Sequence, residues 1–380
     1  MARPAIERSA WRFLAHRAAL TNWPTLANWR SLANGALLAA GLAAVAVLAS
    51  RFARDLVNPT GPSPVSPVLC AVLLGVLWRN TIGLGAGFLP GLQWITNNLL
   101  RLGIALVGLR LSLSGLASTA GMAIPVVVAC ISVAIGASYV VGRMLGLSKP
   151  LQLLLAAGTS VCGCTAICAM TPVVRARAVE SGLAVTCVVV IGCTGMLLYP
   201  WLAHATFGDA SNAAAVFLGT SIHDTSQVMG ASLIYAQQFN AGDTVAVAGF
   251  TKLLRNLSLL ILVPLFAMWV GNGGTPEAHA KRRQVLPAFL IAFVVLALAR
   301  TGGDAVFTSP EVAAAWSQIV AVGVGASDLF LVCGMTAIGL SVSLADLRGV
   351  GAKALGAAVA VAAAVGACSL GMTLLMQRVA

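Results

Sequence analysis

The chain has 380 residues, of which 59% are apolar and only 9% charged, and its mean hydropathy is +0.93. Soluble domains carry roughly 25% charged residues, so a water-soluble fold is excluded. The net charge of +12, which would suggest nucleic acid in a soluble protein, sits mainly in short loops beside apolar runs and therefore speaks to membrane topology.

Residues 1–31 stand apart. Arg3, Arg8, Arg12, Arg17 and Arg30 interleave with Trp11, Phe13, Trp23 and Trp29, which suits a basic cytoplasmic segment on anionic lipid and equally a disordered basic tail. A cleaved signal peptide fits poorly, because about thirty mixed residues precede the first apolar run. Residues 32–380 read as one transmembrane transporter domain. Apolar segments lie near 32–50, 64–78, 92–113, 121–142, 150–175, 181–202, 212–238, 242–270, 284–300, 313–343 and 353–376. The nine cysteines lie almost all inside these runs and read as small buried hydrophobes.

Two segments are interrupted by the same tripeptide, Gly158-Thr159-Ser160 in 150–175 and Gly219-Thr220-Ser221 in 212–238. The first is bracketed by Arg143 and Lys149 before it and Arg175 and Arg177 after it, so both ends look cytoplasmic. The second lies in a stretch with Asp209 and Asp243 but no Lys or Arg, so both ends look external. Two re-entrant or broken helices entering from opposite faces satisfy this pattern, with irregular tips held inside protein. The alternative is two ordinary helices with small-residue packing patches. The first reading gives an all-α polytopic membrane helical bundle of about nine spanning helices plus two broken or re-entrant helices, with a cytoplasmic N-terminus. Arg79, Lys281, Arg282, Arg283, Arg348 and Lys353 then fall inside.

An internal echo supports an inverted repeat. Residues 108–116 match residues 339–347 at five of nine positions with an offset of 231, and Gly103 falls on Gly334. The two Gly-Thr-Ser breaks are offset by only 61, so one simple tandem duplication does not explain both echoes.

Charges inside apolar runs are functional candidates, because each costs several kcal/mol in hydrocarbon unless partnered. Arg101, Arg110, Lys252 and Arg255 are such residues. Lys252 and Arg255, three apart, share a helix face, whereas Arg101 and Arg110, nine apart, do not. Snorkelling to headgroups is the alternative role for the arginines. Asp224 reads as the only carboxylate well inside a segment, with Asp243 at an edge, which leaves the cations short of counter-ions and points to a bound anion. Half-helices starting at the breaks would add backbone and hydroxyl donors, so Gly158, Thr159, Ser160, Gly163, Gly219, Thr220 and Ser221 join Lys252, Arg255 and Arg101 as the expected substrate-binding set. His223, Asp224 and Gln227 form the candidate coupling group for a proton or sodium, helix capping being the other role for Asp224. Cys162, Cys164 and Cys168 lack the spacing of a zinc site, so no metal or cofactor is expected.

These blocks carry a family resemblance. Residues 157–163 with 171–176 resemble the first signature of the YeiH-like sulfate exporter family of bacterial inner-membrane proteins. Residues 100–104 with 108–111, Gly219 to Asp224 with Gln227 and Val228, and Lys252 to Arg255 resemble further blocks. Over roughly residues 32–380 the resemblance implies an antiporter- or bile-acid-transporter-like fold with crossed, broken helices. The chain departs from that pattern at Thr171, where an acidic residue is common, and at Asp224, where Glu is usual. The expected function is a non-enzymatic secondary transporter of a small oxyanion or sulfonate, working by alternating access in the inner membrane. A cation/proton antiporter of related fold is the runner-up; a membrane-embedded enzyme lacks a nucleophile–base pair. Expected partners are the anion, a coupling proton or sodium, lipid and a second copy in a homodimer, with no nucleic acid.

Overall fold

A computed structural model describes residues 29–57, 65–110, 113–259, 261–262, 265–266, 288–343 and 351–379. Most of the basic segment 1–31, the cluster Lys281-Arg282-Arg283 and Arg348 lie outside the described residues. The secondary structure is helical throughout the described residues: α1 (Trp29–Val57), α2 (Pro67–Thr81), α3 (Leu89–Trp94), α4 (Leu100–Leu106), α5 (Leu113–Met144), α6 (Lys149–Ser160), α7 (Cys164–Val173), α8 (Ala178–Phe207), α9 (Ser211–Ser221), α10 (Thr225–Gln238), α11 (Thr244–Leu257), α12 (Ala288–Val306), α13 (Pro310–Ser341) and α14 (Ala352–Val379). The protein is an all-α polytopic membrane bundle. Five of the described helices, α1, α5, α8, α13 and α14, are long and apolar enough to cross a bilayer. Other expected spans are short or interrupted: α2 has 15 residues, and 86–110 is a chain of helical pieces joined through a π-turn at Ile95–Leu99.

Both segments carrying Gly-Thr-Ser are broken helices, and side-chain bonds show where their feet stand. At the start of α6, Ser148 donates to Glu180 at 2.5 Å, and at the end of α7, Thr171 and Ser181 share a hydrogen bond of 2.7 Å. Both feet of the α6–α7 hairpin therefore sit at the N-terminal end of α8. The α9–α10 hairpin stands at the other end. The Tyr235 hydroxyl donates to the Gly208 carbonyl at 3.1 Å, and Phe239 stacks on His204 with centroids 3.8 Å apart. Since α8 is a span of about 29 residues, the hairpins enter from opposite ends of it. The alternative of ordinary crossings with packing patches is set aside.

The inverted repeat is visible as reciprocal contacts. A Cβ added to Gly103 would meet Phe330 and Leu331 of α13, and one added to Gly334 of α13 would come within 2.5 Å of Leu100. Leu100 and Leu331, like Gly103 and Gly334, are 231 apart, so each repeat offers the other the same glycine-and-leucine pair, as a two-fold axis requires. The pattern continues outward: Gly108 packs on the Phe293 carbonyl of α12, and Gly339 on the Val72 carbonyl of α2. In turn α5 lies against α14.

The two offsets belong to different parts of the chain: the stretch 86–110 falls on α13 at 231, whereas α6 and α7 fall on α9 and α10 at 61. The hairpin therefore comes first among the C-terminal helices and near the end of the N-terminal ones. Local bonding agrees. Thr159 Oγ1 donates to Leu155 O and Thr220 Oγ1 to Val216 O, both at 2.7 Å and 61 residues apart.

Candidate functional site

The two hairpin tips, residues 161–163 and 222–224, converge on one face of α11. On that helix Thr251, Lys252, Arg255 and Asn256 project from the same side, and all are buried. Lys252 and Arg255 are 0% exposed. Burying a charge costs several kcal/mol unless it is fully hydrogen-bonded, so their partners decide whether the arrangement is stable.

The partners are backbone carbonyls of both hairpins. Lys252 Nζ donates to Val161 O at 2.9 Å, Ile222 O at 2.9 Å and His223 O at 2.5 Å. Arg255 donates from Nε to Ser160 O at 2.8 Å, from Nη1 to Thr220 O and to Ile222 O at 3.3 Å, and from Nη2 to Thr159 O. These carbonyls lie at the C-terminal ends of α6 and α9, where the last turn has no intrahelical donors and the dipole is negative. Three acceptors around one Nζ are the complement of an ammonium. The cations are therefore satisfied by the protein itself, without the anion that their shortage of carboxylates suggested.

Gly158 to Ser160 and Gly219 to Ser221 consequently work in the opposite sense to the sequence expectation. They end helices rather than start them, and so they offer acceptors where donors were expected. Their hydroxyls turn back onto their own helices: Ser160 Oγ reaches Ala157 O at 3.4 Å, Ser221 Oγ reaches Phe217 O at 2.6 Å, and Thr220 Oγ1 also bonds Ser369 at 2.6 Å. Gly219 lets α9 approach Thr251 of α11, and Gly158 lets α6 approach Ile167 and Val188.

The donor ends lie a few residues later, where α7 starts at Cys164 and α10 at Thr225. Gly163 makes the first possible: its φ of +61° and ψ of −122° are open to glycine and costly for other residues. Asp224 caps α10, its Oδ1 accepting from Ser226 N–H at 2.9 Å. Its Oδ2 lies 3.2 Å from the point where a Cβ on Gly163 would stand, so the two tips touch at this carboxylate. His223 is 1% exposed, and its Nδ1 has no hydrogen-bond partner. Gln227 leans away from the tips onto α8, donating to Val189 O at 3.0 Å and toward Cys193 Sγ at 3.4 Å.

Arg101 is not part of this centre. It is exposed, lies 5.8 Å above the Phe289 ring and reaches Asn97 at 3.4 Å. Arg110 is paired with Asp328 of α13 at 2.5 Å, and this corrects the expectation that Asp224 is the only carboxylate deep in a segment. Asp328 was legible inside the apolar run 313–343. Also missed was Asn256, whose Nδ2 donates to Thr225 Oγ1 at 3.3 Å; standing four residues after Lys252, it belongs to the same face.

Chemically, the centre holds two buried cations and one carboxylate between hairpins of opposite entry. The model of a family described as conserved hypothetical protein 698 matches residues 34–358. Among similar proteins, a UPF0324 membrane protein of Agrobacterium fabrum is 31% identical over 337 residues, covering 88% of this chain and 90% of the relative. One from Bordetella bronchiseptica is 30% identical over 319 residues, covering 82% and 92%. One from Bacillus cereus is 26% identical over 288 residues, covering 76% and 77%. No solved structure matches the chain. With a family model spanning most of its length and relatives aligned nearly end to end, the chain belongs to the conserved hypothetical protein 698 family of UPF0324 membrane proteins.

Proposed function

We propose that the protein is a secondary transporter, a carrier and not an enzyme, that moves a small oxyanion or sulfonate across the bacterial inner membrane by alternating access, with its N-terminus in the cytoplasm. The observation that carries this reading is the meeting of two hairpins, entering from opposite ends, around Lys252, Arg255 and Asp224. Inverted repeats with interrupted helices at the midplane are the architecture of many secondary transporters, in which small rearrangements of one repeat against the other open the centre to either side. The carbonyls satisfy the donors of Lys252 and Arg255 but do not cancel their charge, so two cations stand against the one carboxylate of Asp224, and in a low-dielectric centre that surplus favours an anion. The resemblance to YeiH-like sulfate exporters points to the same substrate class. Proteoliposomes with imposed gradients, supplied in turn with labelled sulfate, sulfite, taurine and cysteine, test it. Saturable uptake of an oxyanion or sulfonate that Lys252→Gln abolishes is the expected result, and uptake of none of them refutes it.

The carbonyl ring supports a second reading, a cation/proton antiporter. Lys252 Nζ occupies a nest of three carbonyls, the environment that unwound transporter helices offer to a monovalent cation. Sodium-driven proton movement in the same vesicles, with no anion dependence, would select it.

A further inference from the structure

The centre has a side on which it can be reached. Lys252, Arg255 and His223 are at most 1% exposed, whereas Asp224, Cys164 and Ser226 are half-buried and Thr165 is exposed. Of the charged groups at the hairpin tips, the Asp224 carboxylate is therefore the least buried. That carboxylate lies where two return helices begin: Oδ1 accepts from Ser226 N–H at the start of α10, and Oδ2 packs against Gly163, the residue before α7. Helix starts attract anions through their unpaired N–H groups and positive dipole ends. One side-chain anion is thus lodged where two such ends converge.

Two buried polar atoms beside it have no partner. His223 Nδ1 belongs to the preceding residue, and Asn256 Oδ1 belongs to an amide whose nitrogen donates to Thr225, the first residue of α10. Their residues are 1% and 7% exposed. The titratable and charged groups set against Asp224 are Lys252 from α11, Cys162 from the first hairpin and Cys193 from α8, with His223 its neighbour in the chain and Cys164 the residue after Gly163. Lys252 and Arg255 are taken up by carbonyls, so neither is free to neutralise the carboxylate by direct pairing.

We infer that Asp224 holds the place of the transported anion, and that the anion displaces it only when the carboxylate takes up a proton. The inference rests on the transporter reading and adds its coupling. Charge balances for a monoanion: a proton converts the carboxylate to a neutral acid that no longer competes for the helix starts, and the monoanion then restores the charge that was lost, whereas sulfate, a dianion, carries one further negative charge across with each proton. Proton and anion travel together, and loss of the proton expels the anion.

The test uses the full chain in proteoliposomes with labelled sulfate and methanesulfonate, which keep their charge between about pH 5 and 8. Binding and uptake are followed across that range for wild type, Asp224→Asn and Asp224→Glu. Asn caps a helix as well as Asp does, so the first variant keeps the cap and removes only the ionisable group; thermal unfolding verifies this. Linked binding of one proton predicts that wild-type affinity falls about tenfold per pH unit at the alkaline end. Asp224→Asn should bind with the acid-limit affinity at every pH, and Asp224→Glu should restore the slope. A slope retained in a folded Asp224→Asn variant, or no slope in a wild type that binds the anions, overturns the inference and leaves the transporter reading standing. Absence of binding and uptake of both anions by wild type at every pH overturns both.

Discussion

Arg255 and Ser160 are joined across 95 residues by a single bond, Nε to carbonyl at 2.8 Å, and with it the end of α6 is fixed to α11. The same guanidinium holds Thr159 and Thr220, so one side chain ties both hairpins. Arg255→Gln leaves buried carbonyls without donors, each worth about 1 to 3 kcal/mol, and should lower stability by about 3 to 5 kcal/mol. Arg255→Lys, with fewer donors and a shorter reach, should recover only part. Unfolding in detergent measures both, and an unchanged midpoint in Arg255→Gln would show that the bonds contribute nothing.

The hairpins make a topological prediction that is independent of substrate. In a background without the native cysteines, single cysteines at positions 145 and 178 should be protected from an external impermeant thiol reagent, and ones at 209 and 241 labelled. Ser148 beside Glu180 and Tyr235 on Gly208 require the members of each pair to behave alike. Divergence within a pair would refute re-entry.

The Arg110–Asp328 pair joins α13 to the stretch after α4, with side chains 13% and 38% exposed. Partial exposure screens it, so a double-mutant cycle with Arg110→Leu and Asp328→Leu should return a coupling of about 1 kcal/mol. The double variant should be more stable than Asp328→Leu alone, because that single change strands a mostly buried cation. Additivity would mean that the pair is incidental.

Repeat packing can be probed through glycine. Gly108→Val and Gly339→Val drive a side chain onto the carbonyls of Phe293 and Val72, and both should prevent accumulation of folded protein. Gly136 in α5 has nothing near its absent Cβ, so Gly136→Ala should be neutral or stabilise by up to about 1 kcal/mol through helix propensity. Equal effects at all three positions would contradict the reciprocal interface.

The hairpins were legible because Gly-Thr-Ser occurs twice and the flanking charges change sign. Their polarity was not: a break looks the same in sequence whether it follows a helix end or precedes a helix start, and only the carbonyls of Thr159, Ser160 and Thr220 on Arg255 show which. Lys252 and Arg255 were found because spacing fixes a shared face. Arg101 was misplaced because spacing says nothing of which neighbour that face meets, and here it meets Phe289 and the exterior. The repeat was half visible, since the hairpins and the helices around them carry two different offsets along the linear chain.

The bond from Arg255 to Ser160 also bears on biogenesis. A ribosome adds about 5 to 20 residues per second, so the first hairpin emerges roughly 5 to 20 s before the side chain that satisfies its tip. During that interval the α6 carbonyls have no native donor, and hydrocarbon offers none. Residues 149–173 should therefore be open to proteolysis in chains stalled before residue 255 and protected in chains stalled well after it.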